Sequence, residues 1–337
     1  MKTWNETREV LTLARNCLAA GQPCAIVILT NVKGSAFRRP GAKLLIQQNG
    51  EITGNVSGGC LENDLRERAA QCIAAGVRQI VHYNTGSDED VIWGLGLGCD
   101  GELDLLIEPL RQPAPWIESA LDKMAQKHLF SLSWPLESGT EIRPRLILER
   151  DIPDAREFAS AYLDVLIPPR ELFVVGAGDD AVPLVALAAE AGFHVTVIDH
   201  RPGYLSTHRF PRAANIVHAR PESATGLITA NHQSMVVIKN HALEMDKKWA
   251  AFFDAGEVSY IGILGPRKRT AQIRDGMKSG KAGRIFGPAG LDIGAEGAEQ
   301  IAISIVAELL TVAAQRQPIH LREREGSIHG TEVSPSP

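Results

Sequence analysis

The sequence contains no apolar run approaching the roughly 18 residues that a membrane span requires, and residues 1–25 open on a polar stretch holding Glu6, Arg8 and Glu9. A soluble, cytoplasmic protein without a membrane partner is expected. Basic excess is missing too. Lys and Arg number 35 against 40 Asp and Glu, a net charge of -5 and the wrong balance for neutralising a phosphate backbone, so no nucleic-acid partner is expected. Cysteine is scarce: Cys17, Cys24, Cys60, Cys72 and Cys99 are the whole set, and none falls at the short paired spacing of a zinc site. An odd count without pairing fits a reducing compartment. Internal repeats and low-complexity blocks are also absent. What remains, 337 residues of which 44% are hydrophobic, is apolar material for two ordinary domains of about 100 to 200 residues each.

Periodicity divides the chain. An amphipathic helix is predicted from about Glu6 to Ala20, followed by a β-branched strand Ala25–Thr30. Strands Leu44–Gln48 and Glu51–Val56 flank Asn49-Gly50, the pair that supplies both positive φ angles of a type I′ hairpin turn. A helix Leu61–Ala75, a strand Gln79–Tyr83, a polar loop through Ser87–Asp90 and a strand Leu103–Glu108 follow, before Pro109, Pro113 and Pro115 interrupt regular structure. Between Trp116 and Pro169 a helix and strands near Leu129–Trp134 and Arg145–Leu148 carry no chemical motif and read as a connecting segment. From Glu171 onward strands Leu172–Val175, Val195–Asp199, Ile216–His218, Met235–Ile238 and Tyr260–Leu264 alternate with helices, which argues a parallel, doubly wound sheet. An apolar helix Ala298–Ala314 is expected to pack across it, ahead of a mobile polar tail from Gln317.

Three polar clusters mark the first half. In Gly34–Lys43, flexible backbone is combined with Arg38, Arg39 and Lys43; a guanidinium fork grips phosphate and an ammonium adds a point charge, although a solvated basic turn has the same composition. Ser57-Gly58-Gly59-Cys60 runs straight into a helix, so backbone N–H groups and the helix dipole can converge on an anion. That field favours a Cys60 thiolate, with Glu62 and Glu67 pulling the other way; an anion nest beside an inert cysteine and a chemically used thiol both fit. The third cluster, Gly94–Glu102, holds four glycines in eight residues around Gly98 and Cys99 and marks backbone that approaches a ligand or another segment closely. Together they outline one anion-accepting pocket near two cysteines. Cys17, Cys24 and Cys72 lie in apolar or helical runs and read as small core residues.

In the second half Gly176-Ala177-Gly178-Asp179-Asp180-Ala181 follows a strand, with Asp199 closing the next one, as in a dinucleotide fingerprint. Asp179 and Asp180 place negative charge where a pyrophosphate would rest, and either carboxylate can instead cap the following helix. Arg201 can meet a phosphate beyond Asp199. His194, His200, His208 and His218 are scattered at strand ends and read as ordinary surface residues. His241, after Lys239-Asn240 at a strand end where ligands gather and with Asp246 nearby, is either a ligand contact or a helix cap. Gly265-Pro266-Arg267-Lys268-Arg269 sets three more cations on that edge.

The runs GSAFRRPGAKLLI, GEITGNVSGGCLEND and GLGLGCDGELDLLIEPL resemble the signature stretches of the XdhC/CoxI family, and VVGAGDDAVPL, VTVIDHRPGY and YIGILGPRKR are similar to its C-terminal domain, extending the likeness to about Glu308. Departures are Phe37 where the family usually has proline, Pro266 where a small residue is usual, and Glu296-Gly297 in place of a threonine-proline pair that would cap the last helix. The expected fold is α/β: a smaller glycine-rich N-terminal domain over residues 1–112, a connecting segment 113–169, a Rossmann-like domain 170–316 and a tail 317–337, with the ligand in the cleft between the domains. What the resemblance implies is an accessory protein that binds molybdenum cofactor (molybdopterin), protects it during sulfuration and delivers it to an apo-molybdoenzyme of the xanthine dehydrogenase type. A cysteine desulfurase is the implied sulfur donor, and a homodimer the implied assembly. The expected cofactor-binding residues are Arg38, Arg39, Lys43, Ser57, Gly58, Gly59, Cys60, Gly98, Cys99, Gly176, Gly178, Asp199, His241 and Arg267, with Cys60 the candidate molybdenum contact. Rival readings are an NAD(P)-dependent oxidoreductase built on the GAGDDA motif, which lacks a clear general acid, and a sensor of a phosphorylated metabolite.

Overall fold

The computed structural model describes residues 2–34, 36–84, 101–137, 143–148, 160–275, 277 and 282–324. The chain divides into two compact units, Met1–Pro168 and Pro169–Pro337. In the first, helix α1 (Lys2–Ala19) precedes strands β1 (Cys24–Gly34), β2 (Lys43–Gln47) and β3 (Ile52–Gly54), helix α2 (Glu62–Ala75), and strands β4 (Gln79–Asn84) and β5 (Gly101–Leu110). The strands form one antiparallel sheet in the order β3-β2-β1-β5-β4. Side chains alternate across it: Ile26, Ile28, Leu45 and Leu106 face α1, while Ala25, Val27, Leu29, Leu44 and Ile107 face Leu65, Ala69 and Cys72 of α2. Because β1 is central and covered on both faces, it reads as an unbroken apolar run.

Helix α3 (Pro115–Ala125) comes next, with a second antiparallel sheet of β6 (Phe130–Pro135), β7 (Arg145–Leu148) and β8 (Ala161–Leu166) in the order β7-β6-β8. Ile117, Ala120, Phe130, Leu132, Trp134 and Leu166 join the core beneath α1, so the segment read as a connector extends the first unit's core. Two local expectations are corrected. The hairpin has a three-residue loop, with Gly50 N–H donating to the Gln47 carbonyl at 2.9 Å and only Gly50 at positive φ (+82°). Asn49 instead accepts the Glu51 N–H through its side chain at 3.0 Å, which a type I′ turn does not allow for. Pro109 does not end β5: β4 stops opposite Ile107, so Pro109 lies where the strand has a neighbour on one side alone.

The second unit comprises β9 (Glu171–Val175), α4 (Ala181–Glu190), β10 (His194–Asp199), β11 (Asn215–His218), β12 (Met235–Ile238), α5 (Leu243–Ala255), β13 (Tyr260–Ile263), α6 (Arg267–Arg274), β14 (Ile285–Phe286) and α7 (Gly297–Ala313). All six strands are parallel, in the order β11-β10-β9-β12-β13-β14. Renumbered within the unit this is 3-2-1-4-5-6, the dinucleotide-binding arrangement, as the alternating pattern predicted. Helix α7 packs on α4 and is tied to β13 by Glu308, which accepts from Tyr260 Oη at 2.6 Å and from Gly290 N–H at 3.0 Å. Among the described residues no helix is long and apolar enough to cross a membrane. Of the expected tail, Leu321–Glu323 forms a single turn, and residues 325–337 lie outside the described residues.

The first unit is stapled by Lys43. Its ammonium, 0% exposed, lies 2.7 Å from Asp164 Oδ2 on β8 and donates to Thr7 Oγ1 on α1 (2.9 Å) and to the Gly41 carbonyl (2.8 Å). Removing one partner of such a pair strands a buried charge. Asp164→Ala is therefore expected to cost about 3–5 kcal/mol in urea denaturation, and a Lys43→Met/Asp164→Leu double variant to recover most of it. An Asp164→Ala midpoint equal to the wild type would contradict this account.

Candidate functional site

Antiparallel register determines which loops share an edge. Lys43 lies opposite Ile28 and Gly54 opposite Leu44, so the loop before β2 and the loop after β3 leave the sheet in the same direction. Gly34 pairs with Gly101, which brings the end of β1 and the entry to β5 to that side as well. Arg38 bridges the first two loops by donating from Nη1 to Asn55 Oδ1 at 2.5 Å. The basic loop and the Ser57–Cys60 bend are thus neighbours; the third cluster enters at Gly101, while Gly98, Cys99 and the Ser87–Asp90 loop lie outside the described residues.

Most of the charge expected here is already committed. Lys43 is corrected from anion ligand to structural residue, since its buried ammonium is committed to two hydrogen bonds and an ion pair with Asp164. Arg38 is corrected likewise: its guanidinium meets Glu6 of α1 with both terminal nitrogens, at 3.2 and 2.5 Å. Arg39 differs, because it forms no ion pair among the described residues and its Nε is buried without a hydrogen-bond partner. The Ser57 bend also supplies its own anion. Gly59 and Leu61 N–H groups point at Ser57 Oγ (3.1 and 3.4 Å), and that hydroxyl donates to the Glu62 carboxylate, whose oxygens lie at 2.7 and 2.9 Å. Leu61 N–H also reaches Glu62 Oε2 at 3.1 Å, and Asp64 adds a second carboxylate to the first turn of α2. An external anion therefore competes with Glu62 at this helix end. Gly58 and Gly59 nevertheless present bare backbone to open space, since a β-carbon at either position would meet nothing within 4 Å, and Gly59 has φ +107°. Cys60 follows, half-buried against the core under α2. Arg39, Gly58, Gly59 and Cys60 are the available set.

In the second unit the strand order reverses between β9 and β12, the switch point past whose carboxyl strand ends open α/β sheets bind ligands in a crevice. Gly176, at φ +108°, lets the β9 loop approach the β12 loop so closely that a β-carbon would lie 2.7 Å from the Lys239 carbonyl oxygen. Neither aspartate caps α4, contrary to expectation: Asp179 pairs with Arg209 Nη2 at 2.9 Å, and Asp180 accepts from Lys239 Nζ at 2.5 Å. The Asp180 carboxylate lies against Gly178, where a pyrophosphate would approach.

Asp199 is also closed. It accepts from Ala177 N–H (2.7 Å) and from the backbone N–H, Nε and Nη2 of Arg201 at 2.8, 3.0 and 2.9 Å. Burial alone pushes its carboxyl up, but the Arg201 side chain and the two backbone donors outweigh burial and hold it down at about 2. Both oxygens are engaged, leaving no free acceptor for a ribose hydroxyl, and Arg201 itself, stacked 4.0 Å over Tyr204, is not free for phosphate. His241 has φ +60° and a side chain 72% exposed, with Nε2 3.7 Å from Asp180 Oδ2. It does not cap α5, whose N-cap is Ala242, and Asp246 pairs with Asn240 and Arg269 instead. Arg267 is exposed at the start of α6 without a partner among the described residues. Lys239 is not among the expected ligand residues; its signal is a lysine directly after four buried apolar residues that end at the crevice. No group of three or more His, Cys, Asp or Glu among the described residues is placed to hold a metal ion.

A Rossmann-type sheet carrying internal ion pairs past its strand ends, following in the chain an α/β unit with a bare glycine bend beside a cysteine, defines a two-unit α/β protein. Residues 172–309 match the XdhC Rossmann domain and residues 17–84 the XdhC and CoxI family. A solved structure of a xanthine dehydrogenase from Bacillus halodurans superposes with a TM-score of 0.81 at 30% identity, covering 93% of this chain and 97% of that one. The chain belongs to the XdhC/CoxI family. It is 29% identical over 309 residues to a probable xanthine dehydrogenase subunit of Bacillus subtilis, covering 86% of this chain and 93% of that protein. It is 23% identical over 322 residues to the molybdenum cofactor insertion chaperone PaoD of Escherichia coli, covering 93% and 91%.

The depressed Asp199 carboxyl makes a pH-dependent contribution. A folded value near 2 against an unfolded value of about 3.9 stabilises the fold above pH 4, and the contribution is lost as pH falls toward 2. Asp199→Asn is expected to lower stability by about 2 kcal/mol at pH 7 and by roughly half that at pH 3, measured by chemical denaturation at both pH values. An unchanged difference between wild type and variant across this range would refute the assignment.

Proposed function

We propose that this chain is an accessory protein that holds molybdenum cofactor, shelters it while a terminal sulfur is installed, and passes it to an apo-molybdoenzyme of the xanthine dehydrogenase type. The observation that carries this reading is the near full-length similarity to a molybdenum cofactor insertion chaperone, 93% of this chain against 91% of the relative. The cofactor is cargo, and a cysteine desulfurase is the sulfur donor. Within the first unit, the backbone of Gly58 and Gly59 is bare, with open space where a β-carbon would stand at either position. Arg39 is the cation whose buried Nε lacks a partner, which suits the cofactor's phosphate. Cys60, on the same bend, offers a soft sulfur to molybdenum.

Molybdenum and oxidised pterin, measured in the purified chain before and after incubation with free cofactor, test the binding claim. Content no greater than that of an unrelated Rossmann protein would overturn it. Cys60→Ser removes the soft ligand while nearly preserving volume, and is expected to lower cofactor retention several-fold with a thermal midpoint close to wild type. Cys72→Ser, on the core side of α2, serves as the packing control. Equal retention in Cys60→Ser and wild type would leave Cys60 a structural residue.

The 3-2-1-4-5-6 strand order favours a second reading, an NAD(P)-dependent oxidoreductase. Against it stand Asp180 on Gly178 and the closed Asp199. Calorimetric titration with NAD(H) and NADP(H) is expected to show no affinity in the low micromolar range, about -8 kcal/mol. Affinity at that level would promote the oxidoreductase.

A further inference from the structure

Among the described residues two lysines are almost fully buried, and they end up in different circumstances. Lys43 has two internal hydrogen-bond acceptors, Thr7 Oγ1 and the Gly41 carbonyl, and an ion pair with the buried Asp164. Lys239, whose side chain is 2% exposed, has one acceptor, Asp180 Oδ1 at 2.5 Å, and its other two donors have no partner among the described residues. A desolvated ammonium with unmet donors is costly, and burial accordingly lowers the Lys239 pKa from its ordinary value, while Asp180 and Asp199 pull it back up. Lys239 is therefore not satisfied as a structural residue.

Its position points to a use. Nζ lies 3.9 Å from where a Gly178 β-carbon would stand, so the ammonium and the bare glycine backbone face one spot at the strand-order reversal. The group filling that spot is the Asp180 carboxylate, 33% exposed and so on the solvent side of the lysine. Asp180 Oδ2 also lies 3.7 Å from Nε2 of the exposed His241.

We propose that Lys239 is a phosphate-binding residue and that Asp180 is its internal competitor: the phosphate or diphosphate group of a small phosphorylated ligand enters the crevice by displacing the Asp180 carboxylate from Lys239. One anion replaces another, so the buried ammonium stays compensated in both states. The released carboxylate remains beside His241, whose left-handed backbone holds the ring at the mouth of the crevice. A ligand must outcompete an internal ion pair, so the wild type binds phosphate weakly and selectively. The inference stands apart from the cargo reading, since it concerns the second unit and needs no molybdenum cofactor.

The test uses the full chain, with inorganic pyrophosphate and inorganic phosphate as probes at constant ionic strength. Asp180→Asn is expected to bind pyrophosphate on the order of tenfold more tightly than wild type in calorimetry, because the like-charge competitor is gone. Lys239→Met should abolish the gain when combined with it. Thermal melts keep the test decisive if Asp180→Asn is fragile: its midpoint should fall in buffer and recover with pyrophosphate, with no such recovery in Asp180→Asn/Lys239→Met. A gain for either probe supports the exchange. Parity of Asp180→Asn with wild type for both probes, or a gain that survives loss of Lys239, overturns it.

Discussion

A charge taken out of water must be answered by another charge or by hydrogen bonds, and that requirement decides what each cation in this chain is free to do. Lys43 is answered three times over, which joins α1, the loop before β2 and β8 into one unit. Arg38 is answered by Glu6, Arg201 by Asp199 and Arg269 by Asp246. What is left over among the described residues of these loops is Arg39 in the first unit and Arg267 and Lys268 in the second. Composition counts cations; compensation determines which of them reach a ligand.

The parallel strands were legible because a strand covered on both faces must be apolar throughout, and β9, β10, β12 and β13 each show such a run ended by a polar turn. Strand β8 was not, because Asp164 interrupts its apolar run, and an isolated acid in such a run reads as solvent-facing unless its partner is known. That partner is Lys43, on a strand far away in sequence. The same blindness affects the site. Glycine density at Gly58-Gly59 and Gly176 correctly marks bare or closely approached backbone, which is a local property. Whether Arg38 or Asp199 is available depends on residues 32 and 2 positions away, and the shorter of those separations hides as much as the longer, since nothing in Asp-His-Arg-Pro tells that Arg201 folds back on Asp199.

The same logic separates the fold of the second unit from its chemistry. The 3-2-1-4-5-6 order brings the loops after β9, β10 and β12 to one crevice whatever their side chains are, so the arrangement alone says where a ligand would sit. What sits there is set by three short contacts, Asp180 to Lys239, Ala177 N–H to Asp199 and Asp199 to Arg201, each of which takes the place of a contact a dinucleotide would make.

These substitutes are not equally firm. Asp199 is buried and held by four donors, so its closure belongs to the folded state as such. Asp180 is partly exposed and holds Lys239 through a single oxygen, while two ammonium donors beside it stay unmet among the described residues. In a site built of ion pairs, the pair that is exposed on one side and under-satisfied on the other is the one a competing anion can open at least cost. The crevice is therefore closed toward the ribose side and openable toward the phosphate side, an asymmetry that distinguishes a phosphate-accepting pocket from a whole-dinucleotide site.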